Sequence, residues 1–426
     1  MGAAAAESKS NPSAGVAPRR RREAELAGAP DRCNNARRMS LHWQRISVPF
    51  DYPVHFTRDV LAAANEVLVE AIARREPQRR HRLLAVIDGG VARAWPDVAA
   101  RIADYVAAYR ERLTLADAPL VVPGGERAKN EPAALERLQA RLHALGFDRQ
   151  SVVVVIGGGA VLDMAGYAAA TVHRGVRVVR VPTTVLAQAD SGVNVKNGVN
   201  AFGSKNFLGT FAPPFAVVND REWLRTLERR DVAAGMAEAV KVAVVRDAAF
   251  FDWLEASAGE LAAAAADRVA ALVERSARLH LAHIADSGDP FELGSARPLD
   301  FGHWAAHKLE MLTAHRLRHG EAVAIGMALD AGYAVEVGML AAAARDRLVR
   351  LLRALGLPTY DAALRLCGPG ERPRILDGLA EFREHLGGEL CVTLPTAIGC
   401  AVEVDAMRED VLGRVIDLLA RGDAAS

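Results

Sequence analysis

The stretch Val152-Val153-Val154-Val155-Ile156-Gly157-Gly158-Gly159 decides the fold of this chain. Five β-branched apolar residues in a row indicate a strand that is buried on both faces, as in a parallel sheet. Three glycines follow at once, and from Ala160 onward the sequence is helical in character. A strand, a Gly-rich turn and a helix form the phosphate-binding unit of many α/β domains, although Leu162 stands where such a motif has its third glycine. A tight turn without a ligand therefore stays open as the alternative.

Further strand and helix patterns alternate on both sides of this unit. Strand patterns occupy residues 43–56, 83–88, 120–122, 176–181 and 215–218, and helical patterns occupy 96–112 and 132–145. This alternation predicts a doubly wound, Rossmann-like α/β domain. After Asp220, long stretches rich in Ala, Leu, Arg and Glu predict an all-α C-terminal domain. We place the α/β domain at residues 42–222 and the all-α domain at residues 223–426.

The composition limits the class of protein. The 426 residues include 51% apolar and 25% charged side chains, and the formal net charge is +1, so nucleic acid is not expected as a partner. Four scattered cysteines fit a reducing compartment and predict a cytoplasmic protein. No apolar run approaches the ~20 residues of a membrane span. Residues 1–41, rich in Ala, Ser, Pro and Arg, predict a disordered tail.

Glu238, His303 and His319 are candidates for one divalent metal site. Glu238 lies in a segment of helical character, and the two histidines flank a second helical stretch. Two imidazoles and one carboxylate can bind zinc or cobalt and leave a coordination position open for a substrate. His303 and His307 are four residues apart, as are His315 and His319, so each pair would share a helical face if the helix is continuous there. The spacing leaves open which two of the four histidines bind metal.

Polar side chains follow the predicted strands. Glu126 and Lys129 come directly after a strand and could contact a ribose and a phosphate, because α/β folds bind ligands at the carboxyl ends of their strands. The Gly- and Asn-rich stretch 190–206 carries Lys196 and Lys205, which we predict to bind an anion from a loop. Solvated surface charges remain the alternative in both places.

Taken in order, these motifs resemble those of the 3-dehydroquinate synthase family, the founding sugar phosphate cyclases. The resemblance covers residues 43–404. It is carried by Gly125-Glu126-x-x-Lys129, Gly157-Gly158-Gly159 with Asp163, Val181-Pro182-Thr183-Thr184 and Ala237-Glu238-Ala239-Val240-Lys241. It implies a reaction in which NAD takes a hydride from the substrate, phosphate leaves by elimination, the hydride returns, and an intramolecular aldol step closes a carbocycle.

The resemblance also implies roles for individual residues. It assigns the metal to Glu238, His303 and His319, and it implies a small-molecule substrate, a heptulose or heptulosonate 7-phosphate. The residues implied on the substrate side are Lys196, Lys241, His307, Asp190, Arg174 and Asn206, with Arg174 acting across a homodimer interface. The residues implied to bind NAD are Asp88, Glu126, Lys129, Gly158, Gly159, Asp163, Thr183, Thr184, Lys196, Lys205 and Thr226.

The chain departs from the family on the substrate side. The family segment N-F-G-H-T reads Asp300-Phe301-Gly302-His303-Trp304 here. Asp at the first position resembles the valiolone-type cyclases, which act on a heptulose phosphate, but those lack the second histidine and this chain keeps His307. The family's lysine before this segment is not evident, and His280 or His283 lies nearby. The pattern is closest to the dehydroquinate-synthase-like branch of Ebo gene clusters.

Two other functions stay open. A polyol or glycerol dehydrogenase of the same architecture would change the oxidation state of NAD. A scaffold that binds NAD and metal without turnover is suggested by the altered residues on the substrate side. The lysines and the Glu238-x-x-Lys241 motif favour the cyclase, because a neutral polyol needs no cations to bind a phosphate.

Overall fold

The structure, a computed structural model, describes residues 41–286, 291, 299–368, 371–385 and 388–424. Backbone contacts divide the chain into a unit of residues 1–49 and a compact unit of residues 50–426. Residues 41–49, the described part of the first unit, contain no helix or strand. The predicted disordered tail lies outside the described residues except for Leu41. The domain bounds 42–222 and 223–426 stay a prediction.

Strands and helices alternate in the first half of the compact unit, and helices dominate the second. The strands are β1 (Val54–Thr57), β2 (His81–Asp88), β3 (Leu113–Leu115), β4 (Leu120–Val122), β5 (Val152–Gly157), β6 (Arg177–Pro182), β7 (Lys196–Ala201), β8 (Ser204–Phe211), β9 (Ala216–Asp220), β10 (Val392–Ala397) and β11 (Cys400–Val404). The helices are α1 (Val67–Ala73), α2 (Gly89–Ala94), α3 (Val98–Ala108), α4 (Arg127–Asn130), α5 (Pro132–Ala144), α6 (Gly159–Thr171), α7 (Arg229–Arg246), α8 (Ala248–Ala256), α9 (Ala258–Ala262), α10 (Ala266–Asp286), α11 (His303–Leu312), α12 (His319–Glu336), α13 (Ala342–Ala354), α14 (Asp377–His385) and α15 (Glu409–Ala424).

One parallel sheet of seven strands organises the first half. Its order is β1-β9-β6-β5-β2-β3, and β4 pairs with the end of β2. β5 lies inside the sheet and is buried along its whole length. Val152 and Val154 enter one apolar core and Val153 and Val155 enter another, one on each face of the sheet. The prediction of an α/β domain around a doubly buried strand is therefore confirmed.

The second half packs its helices around one apolar core that includes side chains of α7, α11 and α12. It is mostly helical, but the all-α prediction needs a correction, because β10 and β11 pair as an antiparallel hairpin. Val392 and Leu394 of β10 are fully buried, so the strand serves to close the helical core. Among the described helices, none combines the length and the apolar composition that a membrane span requires.

Two strand-level predictions were wrong in the first half. The alternating pattern of residues 43–56 forms a strand only at Val54–Thr57, where β1 pairs with β9 at the sheet edge. The stretch 190–206 is not a simple loop, since Lys196 begins β7 and Lys205 lies on β8 of an antiparallel hairpin. Glycines in both strands permit this pairing, because the two backbones approach closely. A Cβ on Gly198 would stand only 3.0 Å from the carbonyl O of Leu208.

Candidate active site

Three helices bring Glu238, His303 and His319 to one point. Glu238 lies in the middle of α7, whereas His303 and His319 are the first residues of α11 and α12. One ligand atom from each residue lies within 4.8 Å of the other two. The Nε2 atoms of His303 and His319 lie 3.8 and 3.5 Å from Oε1 of Glu238. This spacing suits one divalent ion bound by two imidazoles and a carboxylate.

Glycines hold these helices closer together than side chains would permit. A Cβ on Gly320, in the first turn of α12, would stand 1.7 Å from the carbonyl O of Ala234 on α7. A Cβ on Gly326, further along α12, would stand 2.0 Å from the carbonyl O of Gly302, in the turn before α11. α12 therefore contacts both other helices through backbone atoms, and these contacts set the distances among the three candidate ligands.

Hydrogen bonds on the far side of each ring orient the imidazoles. Nδ1 of His303 donates to the carbonyl O of Phe301 at 3.2 Å, and Nδ1 of His319 donates to Oε2 of Glu310 at 3.1 Å. Both Nε2 atoms are left facing Glu238. Oε1 of Glu238 is buried and has no hydrogen-bond partner among the described residues. A buried, unpaired carboxylate oxygen beside two imidazole nitrogens fits a metal ion.

The surrounding charges set the protonation of these ligands. Burial alone would raise the pKa of Glu238, but Lys241 and the two imidazoles lower that pKa well below its usual value. Burial, assisted by Lys241, lowers the pKa of His303, so this ring is neutral. At His319 the effect of burial is outweighed, mainly by Glu310, and the pKa rises to about 9. A metal ion would take the place of that proton on Nε2.

The other two histidines lie in different places. The ring of His307 is 5.7 Å from the ring of His303 and 6.2 Å from the ring of His319, so it borders the triad. His315 is exposed and has a φ of 59° in the connection between α11 and α12. His315 and His319 do not share a helical face, because the helix that this would require is interrupted: α11 ends at Leu312 and α12 begins at His319.

Charged contacts lead from the triad to Asp190. Lys241, one turn after Glu238 on α7, pairs with that carboxylate and lies 3.9 Å from Oδ2 of Asp190. Nε2 of His280, on α10, lies 3.4 Å from Oδ1 of Asp190. Burial raises the pKa of Asp190 and lowers the pKa of His280. The sequence indicated His280 only as a neighbour of the missing lysine, and its contact with Asp190 required the fold.

The hairpin of β7 and β8 brings more polar groups to this region. Nζ of Lys205 lies 3.0 Å from Oε1 of Glu310. Oδ1 of Asn206 accepts a hydrogen bond of 2.8 Å from Nζ of Lys129, which also pairs with Asp163. Lys129 is buried, so its interpretation as a solvated surface charge is wrong.

Arg180, on β6, fixes the segment that leads into the hairpin. Its side chain is fully buried. The guanidinium donates to the carbonyl oxygens of Gly192, Asn194 and Lys196 at 3.2, 2.7 and 3.0 Å, and to Oδ1 of Asn197 at 2.6 Å. The main chain of Lys196 is thereby held in place while its side chain is exposed on β7.

The Gly-rich turn lies beside Asp190 at the carboxyl edge of the sheet. Gly158 is the N-cap of α6, and a Cβ there would stand 3.3 Å from the side chain of Thr184. A Cβ on Gly159 would stand 2.6 Å from Oγ of Ser191, an atom that is buried and has no hydrogen-bond partner among the described residues. The start of α6 therefore offers backbone N–H groups in a narrow space, which suits a phosphate group.

Neighbouring strand ends place further predicted residues at this edge. Asp88 ends β2, is buried, and accepts a hydrogen bond of 2.6 Å from the backbone N–H of Gly90. The backbone N–H of Thr183 donates to the carbonyl O of Gly157 at 3.0 Å. Glu126 follows β4, which pairs with the end of β2. Asp88 and Thr183 therefore lie against the Gly-rich turn, and the binding of NAD by these residues stays a prediction.

Arg174 and Thr226 form no described contact with the triad. Arg174 is exposed and follows α6, a helix of 13 residues, at the end opposite to the Gly-rich turn. That helix spans about 20 Å. Oγ1 of Thr226 accepts a hydrogen bond of 3.1 Å from Nε1 of Trp95, beside a cleft of about 370 Å³ that Trp95 and Trp223 help to line.

Two sequence profiles match adjacent parts of the chain. The profile described as 3-dehydroquinate synthase N-terminal matches residues 119–234, and the one described as 3-dehydroquinate synthase C-terminal matches residues 235–367. The 2-epi-5-epi-valiolone synthase of Streptomyces glaucescens is 39% identical over 70% of this chain and 76% of that protein. The 3-dehydroquinate synthase of Rhodopseudomonas palustris strain TIE-1 is 38% identical over 82% of this chain and 89% of that protein.

A solved structure has the same two halves. It is that of ValA, the 2-epi-5-epi-valiolone synthase from Streptomyces hygroscopicus subsp. jinggangensis 5008, with NAD+ and Zn2+ bound. The two chains superpose with a TM-score of 0.78 at 29% identity, over 89% of this chain and 100% of that one. The similarity therefore includes both the Gly-rich turn and the helices that carry the triad.

Proposed function

The chain belongs to the 3-dehydroquinate synthase family, and from this premise we propose that it is a sugar phosphate cyclase that depends on NAD and a divalent metal ion. Its substrate is a heptulose or heptulosonate 7-phosphate. Loss of phosphate and an intramolecular aldol step convert that substrate to a carbocycle, which makes the enzyme a carbon–oxygen lyase acting on phosphates. Membership of the Ebo-cluster branch stays a prediction.

The convergence of Glu238, His303 and His319 beside Lys241 and Asp190 carries the proposal. These three ligands would hold zinc or cobalt, which supplies Lewis acidity towards a substrate hydroxyl when it is bound. Lys241 would donate hydrogen bonds to the same hydroxyl region. Asp190, whose pKa is raised by burial, is suited to hold a proton and return it within the site.

We assign the Gly-rich turn and the strand ends around it to NAD. Gly158 and Gly159 would let the pyrophosphate approach the start of α6, and the unpaired Oγ of Ser191 would then gain a partner. Asp88 and Glu126 would accept hydrogen bonds from ribose hydroxyls. When bound, NAD would supply a hydride acceptor that is regenerated within each turnover. Ser191 and Asp190 are consecutive, so the turn lies directly beside the residues that contact the triad.

The polar groups of the hairpin suit the substrate phosphate. Lys205 and Asn206 lie on β8, and Lys196 begins β7. Together they would bind the phosphate dianion and stabilise the charge that develops as it leaves. His307, which borders the triad, would face the substrate.

We also propose a homodimer in which Arg174 reaches the phosphate in the partner subunit. Its place at the far end of α6 supports action across an interface. Phe202 and Phe207 on the hairpin are 87% and 59% exposed, and a second subunit would cover such apolar surface. Mixing inactive Arg174→Ala and Glu238→Gln subunits tests this, because mixed dimers regain one complete site only if Arg174 acts in trans. No regained activity would contradict the proposal.

We place the protein in the cytoplasm. Cys367 and Cys400 are exposed, and neither forms a disulfide bond within the part of the chain that the structure describes. Unpaired exposed thiols suit a reducing compartment.

Phosphate release by the purified protein with NAD+ and Zn2+ tests the function. The substrates to compare are 3-deoxy-arabino-heptulosonate 7-phosphate and sedoheptulose 7-phosphate. We expect release from one of them, and no release from the Glu238→Gln variant, which loses a carboxylate metal ligand. A protein that binds NAD+ and Zn2+ but releases phosphate from neither would favour the scaffold.

The dehydrogenase alternative has less support. The matching profiles and the relatives named above are those of cyclases, and a polyol dehydrogenase needs none of the lysines at the hairpin. Steady accumulation of NADH when the protein is given NAD+ and a simple polyol would favour the dehydrogenase.

A further inference from the structure

Asp330 is a buried carboxylate that contacts both neighbours of His303. It lies on α12 and has no exposed surface. Its Oδ2 accepts a hydrogen bond of 2.9 Å from the backbone N–H of Gly302, and its Oδ1 accepts one of 2.8 Å from Nε1 of Trp304. The two carboxylate oxygens of Asp330 therefore bind the residues on either side of His303, which starts α11.

A carboxylate in this place is costly, which argues that it has a role. None of the ion pairs among the described residues includes Asp330, and burial raises its pKa to about 7. An apolar residue would fill the same space in the core without that cost. The two N–H donors that Asp330 satisfies belong to the turn that aims His303 at Glu238.

The indole partner of Asp330 is one of the residues that depart from the family segment. Where the family segment reads N-F-G-H-T, this chain has Trp304 in place of the threonine. Trp304 is buried, so its indole N–H needs an acceptor, and Asp330 supplies it. The helix that carries Asp330 also begins with His319, so one rigid element is connected to both imidazoles.

We propose that Asp330 is a positioning residue for the metal site, holding Gly302 and Trp304 so that Nε2 of His303 points at Glu238. α12 then places one imidazole directly, through His319, and the other through Asp330. This inference rests on the proposed function only in that it takes the triad to bind a divalent ion.

Metal affinity and metal geometry test this role apart from activity. The variants are Asp330→Asn, which keeps the shape but replaces one acceptor oxygen by an N–H₂ donor, and Trp304→Phe, which removes the indole donor together with the volume of one ring. For each, zinc affinity is measured by competition with a chromophoric chelator, and the visible absorption bands of the Co2+-loaded protein are recorded. We expect zinc affinity to fall ten- to a hundredfold for Asp330→Asn, and the Co2+ bands to shift in both variants.

Asp220→Asn is the matched control. Asp220 is equally buried and accepts hydrogen bonds from the backbone N–H groups of Asp59, Val60 and Glu222, none of which belongs to the triad. Its substitution should lower the unfolding temperature of the metal-free protein and leave zinc affinity and the Co2+ bands unchanged. If Asp330→Asn does not fold, Trp304→Phe decides the question alone.

These measurements distinguish a failure of the proposed function from a failure of the role inferred for Asp330. If the unchanged protein binds no zinc, the proposed function fails. If it binds zinc and both variants keep its affinity and its Co2+ bands while losing only thermal stability, Asp330 is a structural residue and the inference is overturned.

Discussion

Replacing Gly326 by alanine should separate the two helices that begin with histidines. The new Cβ would stand 2.0 Å from the carbonyl O of Gly302, whereas ordinary contact begins near 3.4 Å. The obstructing atom belongs to the backbone, so no side-chain rotation relieves the clash. The turn before His303 must therefore move by about 1.4 Å, the difference between these two distances.

A movement of this size is large for a metal site. Metal–ligand distances in proteins vary by only about 0.2 Å. The three ligands could no longer reach one ion together, and we expect zinc affinity to fall by at least tenfold, or about 1.4 kcal/mol. The clash itself should lower the free energy of unfolding by about 1–3 kcal/mol, less about 1 kcal/mol that alanine gains over glycine in a helix.

Chelator competition measures the zinc affinity, and urea titration of the metal-free protein measures the free energy of unfolding. The matched control is Gly413→Ala on α15, where no atom lies within 4 Å of the added Cβ. That variant should gain about 0.5–1 kcal/mol of stability and bind zinc normally. Unchanged zinc affinity in the Gly326→Ala protein would refute the reasoning that backbone contact between α11 and α12 sets the site.

Three further variants test other parts of the account. Arg180→Met should lower the free energy of unfolding, measured by urea titration, by about 2–4 kcal/mol, because four acceptors around a fully buried guanidinium lose their donor; an unchanged value would contradict this. The pKa of Asp330 is about 7 in the folded protein, whereas its ordinary value is 3.8. Because the folded state binds the proton more tightly than the unfolded state, the free energy of unfolding should fall as the pH rises between these two values. Asp330→Asn should remove this pH dependence. Identical pH profiles of the free energy of unfolding in the variant and in the unchanged protein would contradict the prediction. Glu310→Gln should weaken zinc binding ten- to a hundredfold, because a neutral amide oxygen accepts a weaker hydrogen bond from Nδ1 of His319 than a carboxylate does. Glu381→Gln, at an ion-paired glutamate on α14, should leave zinc binding unchanged; equal effects would exclude an orienting role.

The features that the sequence predicted well depend on local patterns. β5 was predictable because a run of β-branched residues has one stable solution, a strand with both faces covered. The Gly-rich turn was likewise predictable from a local pattern, its three consecutive glycines. Periodicity failed at residues 43–53, where an alternating pattern has no neighbouring strand to pair with.

The candidate site needed the tertiary structure. Spacing alone could not separate His303 from His307, because the choice depends on where α11 and α12 meet α7. The hairpin that carries Lys205 was hidden by its glycines and asparagines, which are typical of loops. Asp330 lies in a helix whose composition gives no sign that its carboxylate contacts a turn almost thirty residues earlier.

The most direct test of the central claim is the number of phosphate ions released per NAD+ during turnover. The purified zinc-loaded protein is given a heptulose or heptulosonate 7-phosphate with NAD+ present only in an amount equal to the enzyme, and phosphate and NADH are followed together. The cyclase account predicts many phosphate ions per NAD+ and no accumulation of NADH, because the hydride returns to the substrate. Release that stops after one phosphate per NAD+, or NADH that rises in step with product, would contradict it.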